Sequence, residues 1–211
     1  NQLLYGKSTY RFIKNLYSIY SELKGRVSPS EERSISSNIF EKLPELFFDS
    51  PDYEHNIGIY GRENNKRIIK WISRKIIDDH PNLEKYKVLL PASNGSGAIG
   101  EVLSTPLVGE PLVGYTQTFI SFGAFDNKEE AEYLLKYIKT KFLRTMLGTM
   151  KVTQHNQSKE VWKNVPLQDF TPNSDIDWSQ SIENIDQQLY KKYNLSQDEI
   201  DFIESKVRAM D

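Results

Sequence analysis

The sequence predicts an α+β fold: a mixed or mainly antiparallel sheet backed by a long amphipathic helix, with a small helical tail at the C-terminus. Three observations support this prediction. Residues 57–73 have the pattern of a β-hairpin, the segments "YKVLL" (86–90) and "TFISF" (118–122) are rich in β-forming residues, and residues 127–147 carry one apolar helical stripe. Because the middle of the chain lacks regular strand–helix alternation, a parallel sheet is disfavoured.

The N-terminal part, residues 1–55, is predicted to be a helical and irregular segment that links the chain to an upstream domain. Ser8 is in position to cap a short amphipathic helix that ends near Gly25. A serine-rich stretch and short pieces broken by prolines follow. The chain opens at Asn1 and not at methionine, which we interpret as the start of a fragment of a longer protein.

The hairpin is predicted from two β-rich segments, residues 57–62 and 66–73, which are separated by Glu63, Asn64 and Asn65. Asparagine tolerates the left-handed backbone that tight hairpin turns require. The second segment also fits the start of a helix, because its isoleucines from residue 68 onward lie on one helical face. The hairpin is the favoured alternative.

The second half of the chain contains the long helix. Before it, glycines together with Pro106 and Pro111 predict a long loop or a set of short edge strands. The helix begins at a capping-box pattern, from Asp126 to Glu129, and stops at Gly148. Its apolar stripe consists of Ala131, Leu134, Leu135, Ile138, Phe142 and Met146.

The tail, residues 171–211, is predicted to be helical and acidic. One helical pattern covers residues 182–189, and a second begins at Ser196, which forms a capping-box pattern with Glu199.

Charge is distributed unevenly, although the formal net charge is only −2. Residues 133–165 contain seven basic residues and one acid, a net of +6, whereas residues 169–211 contain ten acids and four bases, a net of −6. A basic body with an acidic tail is compatible with binding to nucleic acid.

The composition also indicates in which cellular compartment the protein is expected. The chain has no cysteine, which excludes disulfides and thiolate metal sites and fits a reducing cytoplasm. No stretch approaches the roughly 20 apolar residues that cross a bilayer, and the N-terminal region is too charged and aromatic for a secretory signal. We therefore expect a cytoplasmic protein with no membrane partner.

Motifs for catalysis are weak. Residues 95–100 read Gly-x-Gly-x-x-Gly, but Pro106 and Gly109 interrupt the segment in which a cofactor-binding motif needs a helix. The acidic residues lack the arrangement of a metal-dependent nuclease, the histidines lack metal-ligand spacing, and no nucleophile motif is present. We expect this chain to be non-enzymatic, with no catalytic, metal or cofactor site.

Three polar surfaces remain as candidates for binding nucleic acid, with an ordinary solvated face as the alternative for each. The polar segment, residues 151–159, has neither glycine nor proline, and its amide and cationic side chains are of the types that contact base edges and phosphates. The candidate DNA-binding residues are Arg62, Lys66, Arg67 and Lys70 in the hairpin, Asn94 and Ser96 in the glycine loop, and Arg144, Lys151, Thr153, Gln154, His155, Asn156 and Lys159 in the helix and polar segment.

A family resemblance rests on three stretches: "YKVLLPASNGSGAIGE", the run from "YTQTFISFGAF" to "VPLQDF", and "DIDWSQSIENIDQQLYKKYNLSQDEIDFIES". They resemble the C-terminal specificity region of type II restriction–modification enzymes of bacteria that methylate adenine in DNA, including enzymes in which methylation and restriction are fused. The resemblance covers most of the chain from about residue 56 and is strongest over residues 115–204.

The resemblance implies that residues 56–170 are a target-recognition core that reads double-stranded DNA beside the methyltransferase domain of the same polypeptide. The S-adenosylmethionine site and an Asn-Pro-Pro-aromatic motif would lie in that upstream domain, and no Pro-Pro pair occurs here. In a second interpretation, the acidic tail and exposed aromatic residues dock another subunit of a restriction–modification complex, and DNA contact is absent or incidental.

Overall fold

The computed structural model describes residues 10–93, 98–151, 155–156 and 159–210. It confirms an α+β fold. In chain order the strands are β1 (Ile57–Glu63), β2 (Lys66–Ile72), β3 (Tyr86–Pro91), β4 (Leu107–Gly109), β5 (Val113–Tyr115) and β6 (Phe119–Phe125). The α-helices are α1 (Leu16–Ile19), α2 (Ile39–Lys42), α3 (Lys128–Lys139), α4 (Lys141–Gly148), α5 (Ile182–Lys192) and α6 (Gln197–Lys206).

The described strands form two three-stranded sheets, where the sequence suggested one. In the first sheet, β1 pairs antiparallel with β2 and parallel with β5. In the second, β3 lies between β4 and β6 and pairs antiparallel with both. The short strands β4 and β5 are both edge strands, as the glycine-rich region suggested, and the chain crosses between the sheets within residues 110–112.

Two apolar clusters meet at the second sheet. Successive side chains of a strand point to opposite faces. Val88 and Leu90 belong to the cluster formed with α3, α4 and the C-terminal helices, whereas Leu89 belongs to the cluster formed with the first sheet and the N-terminal segment. The second sheet is therefore a middle layer, and β3 is buried on both faces. The predicted division at residues 55 and 170 stays a prediction.

The hairpin and the start of α6 agree with their sequence signals. Asn64 and Asn65 form the turn with φ of 50° and 62°, and Ser196 forms the capping box with Glu199. The cap of α3 is Asn127, one residue later than the start of the sequence pattern.

Two helix predictions need correction. The N-terminal helix is limited to α1 followed by a 3-10 turn at Ser21–Leu23, and the predicted cap, Ser8, lies outside the described residues. The long helix is broken at Thr140, whose hydroxyl accepts a hydrogen bond from the Leu143 N–H at 3.1 Å. Asp186 on α5 accepts the N–H groups of Lys141 and Phe142 at 2.9 and 2.8 Å.

These contacts start a second helix because they satisfy N–H groups that have no partner within α4. The apolar stripe continues across the break, which explains why the sequence resembles one helix. No helix in the described parts of the chain is long and apolar enough to span a membrane.

Candidate nucleic-acid interface

Contacts to residues 100–105 link the described parts of the hairpin, α4 and the polar segment. The guanidinium of Arg67 in the hairpin donates to the carbonyl oxygens of Thr105 and Ser104 at 2.8 and 3.2 Å. Next to the glycine loop, the hydroxyl of Ser93 lies 3.1 Å from Nδ1 of His155 in the polar segment. We call this region the polar end and define it as residues 62–67, 93, 98–105 and 155–156.

The tip of the hairpin is an exposed part of the polar end. Arg62, Asn64, Asn65 and Lys66 are all exposed. Asn64 and Asn65 both have positive φ, as a two-residue type I′ turn requires, and the strands pair without interruption up to Glu63 and Lys66. Their side-chain amides therefore project from a closed, regular turn and are free of the core.

The charges of the hairpin fall into two groups. Lys70 pairs with Asp49 at 2.7 Å and lies 3.5 Å from Glu63, and the hydrogen bond to Asp49 raises the pKa of Lys70. In contrast, neither Arg62 nor Lys66 forms an ion pair with a described residue. Positive charge is therefore available at the tip and largely offset at Lys70.

Arg67 connects the hairpin to residues 104–105 and to Phe119. In addition to its two carbonyl partners, its guanidinium lies 5.6 Å from the ring centroid of Phe119, within the range of a cation–π contact. Its charge meets carbonyl dipoles and an aromatic face, and no carboxylate among the described residues forms an ion pair with it. Arg67 thus holds the tip in place and adds to its positive potential.

Two described residues of the polar segment are buried, although the sequence suggested that they face solvent. Lys151 is 2% exposed and forms an ion pair with Glu101. Asn156 is 0% exposed; its side-chain amide donates to the Pro91 carbonyl at 2.9 Å, and its own carbonyl accepts the indole N–H of Trp162 at 2.8 Å. The expectation that these two side chains face solvent is wrong, because both attach the segment to the protein interior.

Arg144 is also buried, contrary to its expected place on an exposed face of the helix. It is 1% exposed, and its guanidinium donates to the carbonyl oxygens of Gly100 at 3.1 Å and of Arg208. Burial lowers the pKa of this guanidinium. Arg144 therefore joins α4 to the 98–105 loop and to the C-terminal residues, and its position removes it from a DNA-contacting surface.

The remaining candidates divide into two sets. His155 is exposed and stays on the surface of the polar end. Asn94, Ser96, Thr153 and Gln154, and the side chain of Lys159, lie outside the described residues.

Asn64 and Asn65 were predicted from the sequence to form a turn but were not among the candidate DNA-binding residues. The Asn-Asn pair is the sequence signal that could have identified them, because two adjacent asparagines in a hairpin turn place two amide groups at its outermost point. Glu101 was also missed, since nothing local to it indicates a lysine partner fifty residues later.

A second surface is a groove between α4 and α6 with a volume of 680 Å³. Tyr193 and Phe202 line it and are 37% and 47% exposed. The ring of Tyr193 stacks on Phe142 with centroids 4.9 Å apart, and Asp198 and Glu199 are also in its lining. This groove combines an apolar floor with acidic groups.

Lys87 is the most unusual titratable group of the core. It is 0% exposed, and burial lowers its pKa to about 7. Its Nζ lies 2.9, 3.3, 2.9 and 3.0 Å from the carbonyl oxygens of Asn82, Leu83, Lys85 and Glu110, which share its N–H donors. These contacts assign it a structural role, because they join two loops beneath the second sheet. Among the described residues, no group of three or more histidine or acidic side chains is placed to hold a metal ion.

Comparisons of the chain with protein-family models, curated proteins and solved structures found no match.

Proposed function

We propose that the chain is the sequence-specific DNA-recognition module of a restriction–modification adenine DNA methyltransferase. The catalytic domain and its S-adenosylmethionine would belong to the upstream part of the same polypeptide. The observation that supports the proposal best is the polar end, where an exposed hairpin carries Arg62 and Lys66 without ion-pair partners among the described residues. The family resemblance of the sequence gives the proposal its particular form.

The proposed interface contains groups for two kinds of DNA contact, to phosphates and to base edges. Contacts from cationic side chains to phosphates position a protein on duplex DNA, and contacts to base edges select the sequence. Arg62 and Lys66 supply the first kind of group, whereas Asn64, Asn65 and His155 supply hydrogen-bonding groups of the second kind. Arg144 and Lys151 are buried and contact Gly100 and Glu101, and the buried Asn156 donates to the Pro91 carbonyl.

The test is a set of binding titrations of the full chain with random-sequence duplex DNA at several salt concentrations. The double variant Arg62→Ala/Lys66→Ala should bind more weakly and lower the slope of log affinity against log salt by about two, because two phosphate contacts are lost. The matched control is Lys191→Ala/Lys206→Ala, which removes the same charge from exposed positions on α5 and α6. Equal slopes for the two double variants, or no duplex binding by the wild-type chain, would overturn the proposal.

The groove between α4 and α6 favours a second candidate function: docking of a protein subunit through the acidic tail. Its exposed Tyr193 and Phe202 are of the residue types that anchor protein interfaces. The same titrations separate the two functions, because a docking module needs no affinity for duplex DNA.

A further inference from the structure

We propose that the β1–β2 tip enters the major groove as a two-stranded ribbon and that the amides of Asn64 and Asn65 contact base edges there. This inference rests on the proposed function and specifies how that function is carried out.

The width of the tip fits the major groove. Paired strands lie about 4.8 Å apart, and the major groove of B-DNA, about 12 Å wide, admits a two-stranded ribbon. The minor groove, about 6 Å wide, is too narrow for the same element with its side chains. Because the strands stay paired to Glu63 and Lys66 and turn through two residues, the tip keeps ribbon width to its end.

Charge is placed on both faces of the ribbon. Arg62 and Arg67 are cross-strand partners and share one face, whereas Glu63 and Lys66 are the next pair and share the other. Glu63 lies 3.5 Å from Lys70, which also pairs with Asp49 at 2.7 Å, so on this face two acids balance Lys66 and Lys70. A groove has phosphates along both walls, and the ribbon places Arg62 toward one wall and Lys66 toward the other.

The ribbon is also held rigidly at its base. Gly61 is packed so closely that a Cβ there would lie 2.6 Å from the ring of Phe40 and 2.8 Å from the methyl group of Thr116. Farther out, Arg67 is bound to the carbonyl groups of Ser104 and Thr105. A ribbon fixed at these points is preorganised, so little conformational entropy is lost when it binds.

Asn64 and Asn65 occupy the outermost turn, between Arg62 and Lys66. A side-chain amide carries a donor and an acceptor, and it pairs in a bidentate manner with the N6 and N7 edge of adenine in the major groove. The turn therefore presents two such groups toward the floor of the groove, where sequence is read.

The experiment uses the full chain and variants in which glycine replaces either asparagine. Glycine adopts the positive φ of both positions without strain, so Asn64→Gly and Asn65→Gly keep the turn and remove only the amides. A duplex selected by the wild-type chain from a randomised pool is the probe, together with a scrambled duplex. Each variant should reduce discrimination between the two by roughly 5- to 150-fold, while affinity for the scrambled duplex is unchanged.

A chemical probe identifies the groove. Replacing adenine by 7-deazaadenine in the selected duplex removes N7 from the major groove. The replacement should weaken binding by the wild-type chain. It should cause no further loss of binding in the glycine variant that lacks the amide contacting that adenine. Unchanged discrimination by both variants, or no effect of 7-deazaadenine at any position, would overturn the ribbon inference while salt-dependent binding still supports the proposed function. Absence of any duplex binding would overturn both.

Discussion

Replacing Lys151 by methionine should destabilise the fold, because Lys151 is buried in an ion pair and is not part of an exposed DNA surface. The side chains of Lys151 and Glu101 are 1% and 13% exposed. Removing one partner of a buried ion pair deprives the other charge of that contact, which costs about 3–5 kcal/mol. Since water reaches part of Glu101, we expect a loss at the lower end, about 3 kcal/mol.

The measurement is urea unfolding followed by circular dichroism, with the m-value checked for constancy. A loss of about 3 kcal/mol corresponds to a fall in Tm of about 6–12 °C for a chain of this size. The double variant Lys151→Met/Glu101→Gln should recover most of the loss, because neither charge remains unpaired. Lys163→Met is the control, since Lys163 is exposed and also lies after α4. If Lys151→Met is no more destabilising than Lys163→Met, the burial argument is wrong.

Two further predictions concern the dependence of stability on pH. The folded pKa of Lys87, about 7, lies below its ordinary value of 10.5, so the unfolded chain binds more protons between these values and the unfolding free energy should rise with pH. Lys87→Met should reduce this rise of the unfolding free energy by up to about 1.4 kcal/mol per pH unit. Urea titrations between about pH 7 and 9 measure the rise, and an equal rise in the variant and the wild type would contradict the prediction. Burial raises the pKa of Asp186 from 3.8 to about 6, so the folded chain binds more protons in that window and stability from this group should fall as pH rises through it. The unfolding free energy of the wild type should therefore fall relative to that of Asp186→Asn between about pH 4 and 6. If the unfolding free energies of the two proteins change in parallel over this range, the raised pKa of Asp186 is refuted.

Local signals in the sequence account for much of the fold. The hairpin followed from β-rich segments around two asparagines, and the start of α6 followed from Ser196 and Glu199. The break at Thr140 did not follow, because Asp186, which accepts the first N–H groups of α4, lies about 45 residues away in sequence. The division into two sheets depends in the same way on pairings between distant segments.

The residue types of the candidate DNA-binding residues can be read from the sequence, but the burial of several of them cannot. Hairpin residues were expected on the surface, and Arg62 and Lys66 are there. Arg144, Lys151 and Asn156 are polar in sequence but buried in the fold, since each finds partners 44 to 65 residues away. Residue type shows what a side chain is able to bind; its partners in the fold decide whether it is already bound.

The burial of β3 on both faces predicts that the two apolar clusters unfold as one cooperative unit. Val88 and Leu90 complete the helical core, and Leu89 completes the core of the first sheet, so removal of either half leaves half of this strand exposed to water. Amide protons of β3 should therefore exchange only through global unfolding, and the two halves should melt together. This has a practical consequence for truncated versions of the chain. A truncation within residues 10–210 that separates the first sheet from the C-terminal helices exposes apolar side chains of the remaining core to water.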